Sequence, residues 1–222
     1  MLRDVKPTLD VRYIMVGLSY RGYWTSSGRP SERGIDLDAQ AALNWVVEQE
    51  NHSQATIAQA DEREVQVNVI LWGQSIGSGI ATTLAANQDL FCKNVSLQSL
   101  ILETPFLNTR SMLQNLYPQK WLPYQYLWPF LRTHLDSYAA LETMTIRAKL
   151  VGSKTPEVVI LEAGRDELVP SSHGRILEQR CEELGLVTER KVIDNAFHQD
   201  VLVRAGGRQA VVDAVKRVAG TI

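Results

Sequence analysis

The chain has 222 residues, of which 45% are hydrophobic and 22% charged, which is ordinary globular composition and enough for one domain with a sizeable core. A formal net charge of -2 gives no reason to expect nucleic acid or an anionic membrane as the main partner. Two cysteines, Cys92 and Cys181, exclude a disulfide framework, and neither sits in a metal-ligand spacing, so no metal is expected and both are read as small buried apolar residues.

Met1 to Asp10 has no apolar h-region, and no apolar run approaches the roughly 18 residues a membrane span needs. An intracellular protein is therefore expected, and the sequons at Asn51 and Asn94 are taken as chance matches. Val11 to Ser19 is a strand candidate rich in Val, Ile, Tyr and Leu, and Tyr20 to Pro30 a glycine-bearing loop. A helix is predicted from Ser31, a capping residue, with Ile35, Ala39, Leu43, Val46 and Val47 as its apolar stripe. Glu48 to Glu64 reads as a polar surface excursion, and Val65 to Trp72 as a strand. Ser75 to Asn87 follows as a helix and Leu97 to Glu103 as a strand, whereas Thr104 to Ser153 does not alternate cleanly. Val158 to Glu162 is a strand, Ser171 to Leu184 a helix stopped by Gly185, Val187 to Ile193 the last strand and Gly207 to Val218 the last helix. Strand and helix in turn imply an α/β fold with a mainly parallel, doubly wound sheet in a single domain, 1–222.

Gly73-Gln74-Ser75-Ile76-Gly77 matches G-x-S-x-G. The pattern alone arises often by chance, but here it follows a strand and opens a helix, the setting of a nucleophile elbow. Ser75 is then the candidate nucleophile, with Gly73 and Gly77 leaving room for close backbone and the amide of Ile76 placed to donate to an oxyanion. A serine hydroxyl needs a base, and the base an orienting carboxylate, in the chain order Ser, acid, His. Asp166 lies in the loop after the Val158 strand, with Glu167 as its rival. Of four histidines, His52 and His134 precede Asp166 and His173 starts a helix. Only His198 has the right order and follows the next strand.

Tyr20-Arg21-Gly22-Tyr23, Ser27-Gly28-Arg29-Pro30-Ser31-Glu32, the elbow, Leu102-Glu103-Thr104-Pro105-Phe106, Asp166-Glu167-Leu168-Val169-Pro170 and the late His198 together resemble alpha/beta-hydrolase-fold proteins of the bud-emergence type. The likeness runs from about Tyr13 to the C-terminus. It implies a serine esterase, lipase-like hydrolase or thioesterase with no cofactor, acting on an ester or thioester with an apolar acyl part. It also implies a small helical cap at about 105–150, and membrane association only through a segment absent from this chain. The family loop usually carries Asp at position 19 and Gly at position 24, and commonly Gly at 197, where Ser19, Trp24 and Phe197 stand. Tyr23, Trp24 and Phe197, with Trp121, Tyr124 and Trp128 of the aromatic stretch, are candidates for an acyl pocket.

The resemblance further implies strands ahead of the Tyr-Arg-Gly-Tyr loop, one of them ending in a His-Gly oxyanion motif between the Val11 and nucleophile strands. The only His-Gly pair here is His173-Gly174, so the chain is expected to be N-terminally shortened, with a gap of about 10 Å in its sheet. Loss of one oxyanion donor is expected to lower turnover by roughly 10²–10³. A catalytically impaired fragment or interaction module on the same fold is therefore the alternative to an active hydrolase. An aminopeptidase finds less support, since no acidic cluster for a substrate amine stands out.

Overall fold

The computed structural model describes residues 11–57, 66–91, 94–116 and 134–220. Trp121, Tyr124, Trp128 and Cys92 lie outside them. Four strands, β1 (Val67–Gln74), β2 (Val95–Glu103), β3 (Glu157–Ala163) and β4 (Thr188–Ile193), form one parallel sheet in the order β1-β2-β3-β4. Six α-helices accompany them among the described residues: α1 (Glu32–Ile57) ahead of β1, α2 (Ile76–Ala86), α3 (Thr109–Leu116), α4 (Ser137–Val151) and α5 (Ser171–Leu184) between strands, and α6 (Ala205–Ala219) after β4.

Period-two burial divides the strands between two cores. Leu100, Leu102, Val158 and Ile160 face one layer with Ile35, Ala39 and Leu43 of α1, Ile80 and Leu84 of α2, Leu141 and Met144 of α4, and Leu177 and Cys181 of α5. Ile101, Val159, Leu161 and Ile193 face the other, where α6 supplies Ala210, Val211 and Ala214. The sheet is thus covered on both faces, as a doubly wound parallel sheet requires. Within the region that reads irregularly in sequence, α3 and α4 are helical. Asp136 caps α4 by accepting the Ala139 N–H at 3.0 Å. Both α4 and α5 stop at left-handed glycines, Gly152 (φ 69°) and Gly185 (φ 73°). The buried Cys181 thiol is pushed up to about 11, chiefly by burial, and is inert at neutral pH.

Two expectations fail. Val11 to Ser19 forms no strand, and Ile14, Met15, Val16 and Leu18 are exposed. A strand exists only where its backbone groups find a neighbour, and no described strand pairs with this segment. As a result β1 is an edge of the sheet among the described residues, and its Val67, Ile70, Leu71 and Trp72 are only half-buried, whereas β3 is buried almost throughout. The polar excursion expected over 48–64 is also misplaced at its start. Helix α1 continues to Ile57, because Glu, Gln and Ala are good helix formers and prolong a helix whose apolar face already packs.

Candidate active site

All four strands run the same way, so the loops leaving their C-terminal ends gather on one edge of the sheet, the place where parallel α/β sheets bind ligands. Ser75 follows β1, Asp166 lies in the loop after β3 and His198 in the loop after β4. Three non-glycine residues on this edge, Ser75 (φ 53°), Thr104 (φ 45°) and Asn195 (φ 56°), have left-handed backbone, a cost of order 1–3 kcal/mol each.

Ser75 makes the turn from β1 into α2. Its amide donates to the Glu103 carbonyl (2.9 Å), and its own carbonyl accepts the Ser78 N–H (2.9 Å) and hydroxyl (2.5 Å). The glycines of the motif differ in their reasons. A Cβ on Gly73 would stand 2.0 Å from the Gly77 carbonyl oxygen and 2.6 Å from the Ser78 nitrogen, so position 73 admits only glycine. A Cβ on Gly77 would meet nothing within 4 Å. The expectation that Gly77 itself makes room is corrected: its backbone is what Gly73 makes room for. Ile76 is the first residue of α2, so its N–H has no acceptor within the helix, and Ser75 stands at the positive helix end as the N-cap.

His198 and Asp166 form a buried couple. His198 is 3% exposed, and its Nδ1 lies 3.0 and 2.9 Å from the two Asp166 carboxylate oxygens. An ionised carboxylate only accepts, so Nδ1 carries the proton and Nε2 is left as the basic nitrogen. Asp166 Oδ1 also accepts the backbone N–H groups of Leu168 (2.9 Å) and Val169 (2.8 Å). Burial opposes ionisation of Asp166. The bonds from His198, Val169 and Leu168 outweigh it and hold the carboxyl below its ordinary range. Glu167, the rival acid, accepts the backbone N–H of His198 at 3.0 Å and steadies the loop rather than the ring. The acid and base loops are joined again by Gly164 N–H to Ile193 O (2.9 Å) and Arg165 N–H to Ala196 O (2.8 Å).

Because the folded pKa of Asp166 is depressed, its contribution to stability is present above the unfolded value of about 3.9 and is lost as pH falls through the lower folded value. Asp166→Asn is expected to remove that part of the acid-unfolding curve. Unfolding of both proteins followed by circular dichroism from pH 5 to pH 2 checks this, and parallel curves would refute it.

Ser75 is brought to the same edge, but no hydrogen bond joins its hydroxyl to the His198 ring in this structure. The link between them is Gln74, whose Nε2 donates to the His198 carbonyl at 3.3 Å. The other histidines stand elsewhere. His173 is buried in α5 with its Nε2 3.4 Å from Asn115 Nδ2, burial lowers its pKa, and the backbone of His134 donates to Glu32.

Of the described pocket candidates, Tyr23 and Phe197 are about half-exposed and Trp24 is 94% exposed, so no wall closes around Trp24 among the described residues. Trp24 has φ 49°, a conformation that glycine adopts without strain. Its loop is pinned to α1 by Arg21, whose guanidinium grips Asp38 (Nη2 to Oδ1 2.6 Å, Nε to Oδ2 3.0 Å). Sequence reasoning left Gln74 as part of the motif and gave Glu103 no role. The signal for Glu103 was a lone charge directly after the apolar run Leu100, Ile101 and Leu102. Among the described residues no group of three or more His, Cys, Asp or Glu could hold a metal, and no helix is long and apolar enough to cross a membrane.

No family model matches the chain. The protein bem46 of Schizosaccharomyces pombe is 35% identical over 201 residues, covering 88% of this chain and 55% of that protein. The lysophosphatidylserine lipase ABHD12 of Danio rerio is 31% identical over 165 residues, 74% of this chain and 38% of that one. The chain spans about half the length of the curated relatives it matches. Among solved structures, the esterase Pf2001 of Pyrococcus furiosus superposes with a TM-score of 0.54 at 17% identity, over 89% of this chain and 66% of that one. The chain has the alpha/beta-hydrolase fold. The loops that carry Ser75, Asp166 and His198 all leave the C-terminal edge of the sheet.

Proposed function

We propose that this chain is a serine hydrolase that cleaves carboxylic ester or thioester bonds of substrates with an apolar acyl part, through an acyl-enzyme. The observation that carries the reading is the buried His198–Asp166 couple on the sheet edge that also presents Ser75 on its strained turn. In this mechanism His198 Nε2 takes the Ser75 proton as Oγ attacks the carbonyl carbon, and returns it to the leaving group. Asp166 keeps the ring in the right tautomer and balances the imidazolium. The Ile76 N–H and the α2 terminus stabilise the oxyanion. Water, deprotonated by His198, then frees the acid and regenerates the serine. The reading needs no cofactor. A relative named as a lysophosphatidylserine lipase supports an ester substrate.

A fluorophosphonate probe reacts with an activated serine and tests this directly. The full chain is expected to label at Ser75, with labelling lost in Ser75→Ala and His198→Ala. Labelling that persists in Ser75→Ala would overturn the assignment.

The edge position of β1 among the described residues, and a Val11 to Ser19 segment that joins no described strand, favour a second reading, a catalytically impaired chain or interaction module on the same fold. Absence of labelling in the folded chain would select it.

A further inference from the structure

We infer that Glu103 is a positioning residue of this site, holding the serine turn and the histidine loop in register through Gln74. Glu103 ends β2, directly opposite Gln74 in the parallel register, and is 2% exposed. Its two oxygens are divided between two donors: Oε2 accepts the Trp72 indole N–H at 3.2 Å, and Oε1 accepts from Gln74 Nε2 at 3.3 Å. The second hydrogen of that same Gln74 nitrogen goes to the His198 carbonyl. The Glu103 carbonyl meanwhile holds the Ser75 amide. One residue therefore grips the nucleophile through its main chain and the base loop through its side chain.

The chemistry demands a carboxylate. Both neighbours donate, and only a carboxylate offers an acceptor at each oxygen. A glutamine here would turn its NH₂ toward one of the two donors and leave that pair unmade. Gln74 cannot flip in compensation, because its oxygen would then face the His198 carbonyl. No ion pair to a cation neutralises Glu103 among the described residues, so the group is held at a cost, and burial raises its pKa against the pull of Trp72 and His198. An apolar residue would end this strand more cheaply. The carboxylate makes sense as the hub of a bridge between residues 124 positions apart, Gln74 and His198. Glu103 ends β2, which lies between β1, leading to Ser75, and β3, leading to Asp166.

This inference rests on the reading of Ser75 and His198 as nucleophile and base. Its test uses Glu103→Gln, Gln74→Ala and the double variant in the full chain, with circular dichroism to establish folding. Steady-state hydrolysis of p-nitrophenyl acetate and the downfield proton resonance of the His198 Nδ1–H are the two readouts. Each single variant is expected to lower kcat by about 10- to 100-fold with KM changed less than about twofold, since the misplacement affects reacting atoms rather than substrate contacts. The double variant should be no worse than the poorer single, because both act through one bridge. The His198 resonance should broaden in all three. A Glu103 that serves stability alone would leave kcat and the resonance of the folded variants unchanged, and that result overturns the inference. Should the wild-type chain neither label nor hydrolyse, the catalytic reading falls. The resonance then decides the bridge by itself: broadening in Glu103→Gln upholds it, and an unaltered line refutes it. If Glu103→Gln does not fold, Gln74→Ala carries both readouts.

Discussion

Ser75→Ala and His198→Ala are each expected to lower kcat/KM for a short p-nitrophenyl ester by about 10⁴-fold or more, with the double variant little worse than either single. The reason is mutual dependence. In the proposed mechanism the Ser75 proton has nowhere to go without His198, and His198 has nothing to activate without Ser75. Removing the second partner therefore deletes a function already lost. His198 is buried and held by Asp166 and, through its backbone, by Glu167, so its removal vacates a fixed position that nothing else in the loop can occupy. Kinetics of the purified variants against a folded wild type check this. Wild-type rates in Ser75→Ala would mean that the hydrolysis comes from elsewhere, and fully additive losses would mean that the two residues do not act as a unit.

Gly73→Ala and Gly77→Ala should behave as opposites although both glycines belong to one motif. The methyl that Gly73→Ala adds would enter the space of the Gly77 carbonyl and the Ser78 nitrogen, which are backbone atoms of the elbow and the first turn of α2 and cannot swing aside. The expected loss is about 3 kcal/mol or more of unfolding free energy, or failure to fold, since backbone displacement at a strained turn adds to overpacking. The methyl that Gly77→Ala adds meets open space at the second position of a helix, where replacing glycine gains backbone entropy. Its effect is expected within about 1 kcal/mol of zero and on the stabilising side. Urea unfolding of both variants measures the contrast, and equal destabilisation would show that the elbow does not have the packing described.

What could be read from residue order was what neighbours in the chain decide. Ser75 between a strand and a helix, the loop position of Asp166, the order of Ser75, Asp166 and His198, and the end of α5 at Gly185 all follow from local periodicity and turn chemistry. The strand ends and helix faces emerged within a few residues for the same reason: a period of two or of 3.6 is written in consecutive side chains. Local pattern also explains the overreach at Val11 to Ser19. Its residue types suit a strand, but a strand is a relation between two segments, and the second is not among the described ones.

Tertiary structure alone decided the rest. Asp166 and Glu167 are adjacent and chemically alike, and only the fold directs one to the His198 ring and the other to its backbone. The unequal demands on Gly73 and Gly77 depend on how the α2 turn folds back over β1. Glu103 stood in sequence only as a charge after the apolar run Leu100, Ile101 and Leu102, and its contacts with Gln74 and, beyond it, His198 come from the fold. Hydrogen bonds over such separations are set by the parallel register that carries distant loops to one sheet edge, and no run of neighbouring residues encodes that register by itself.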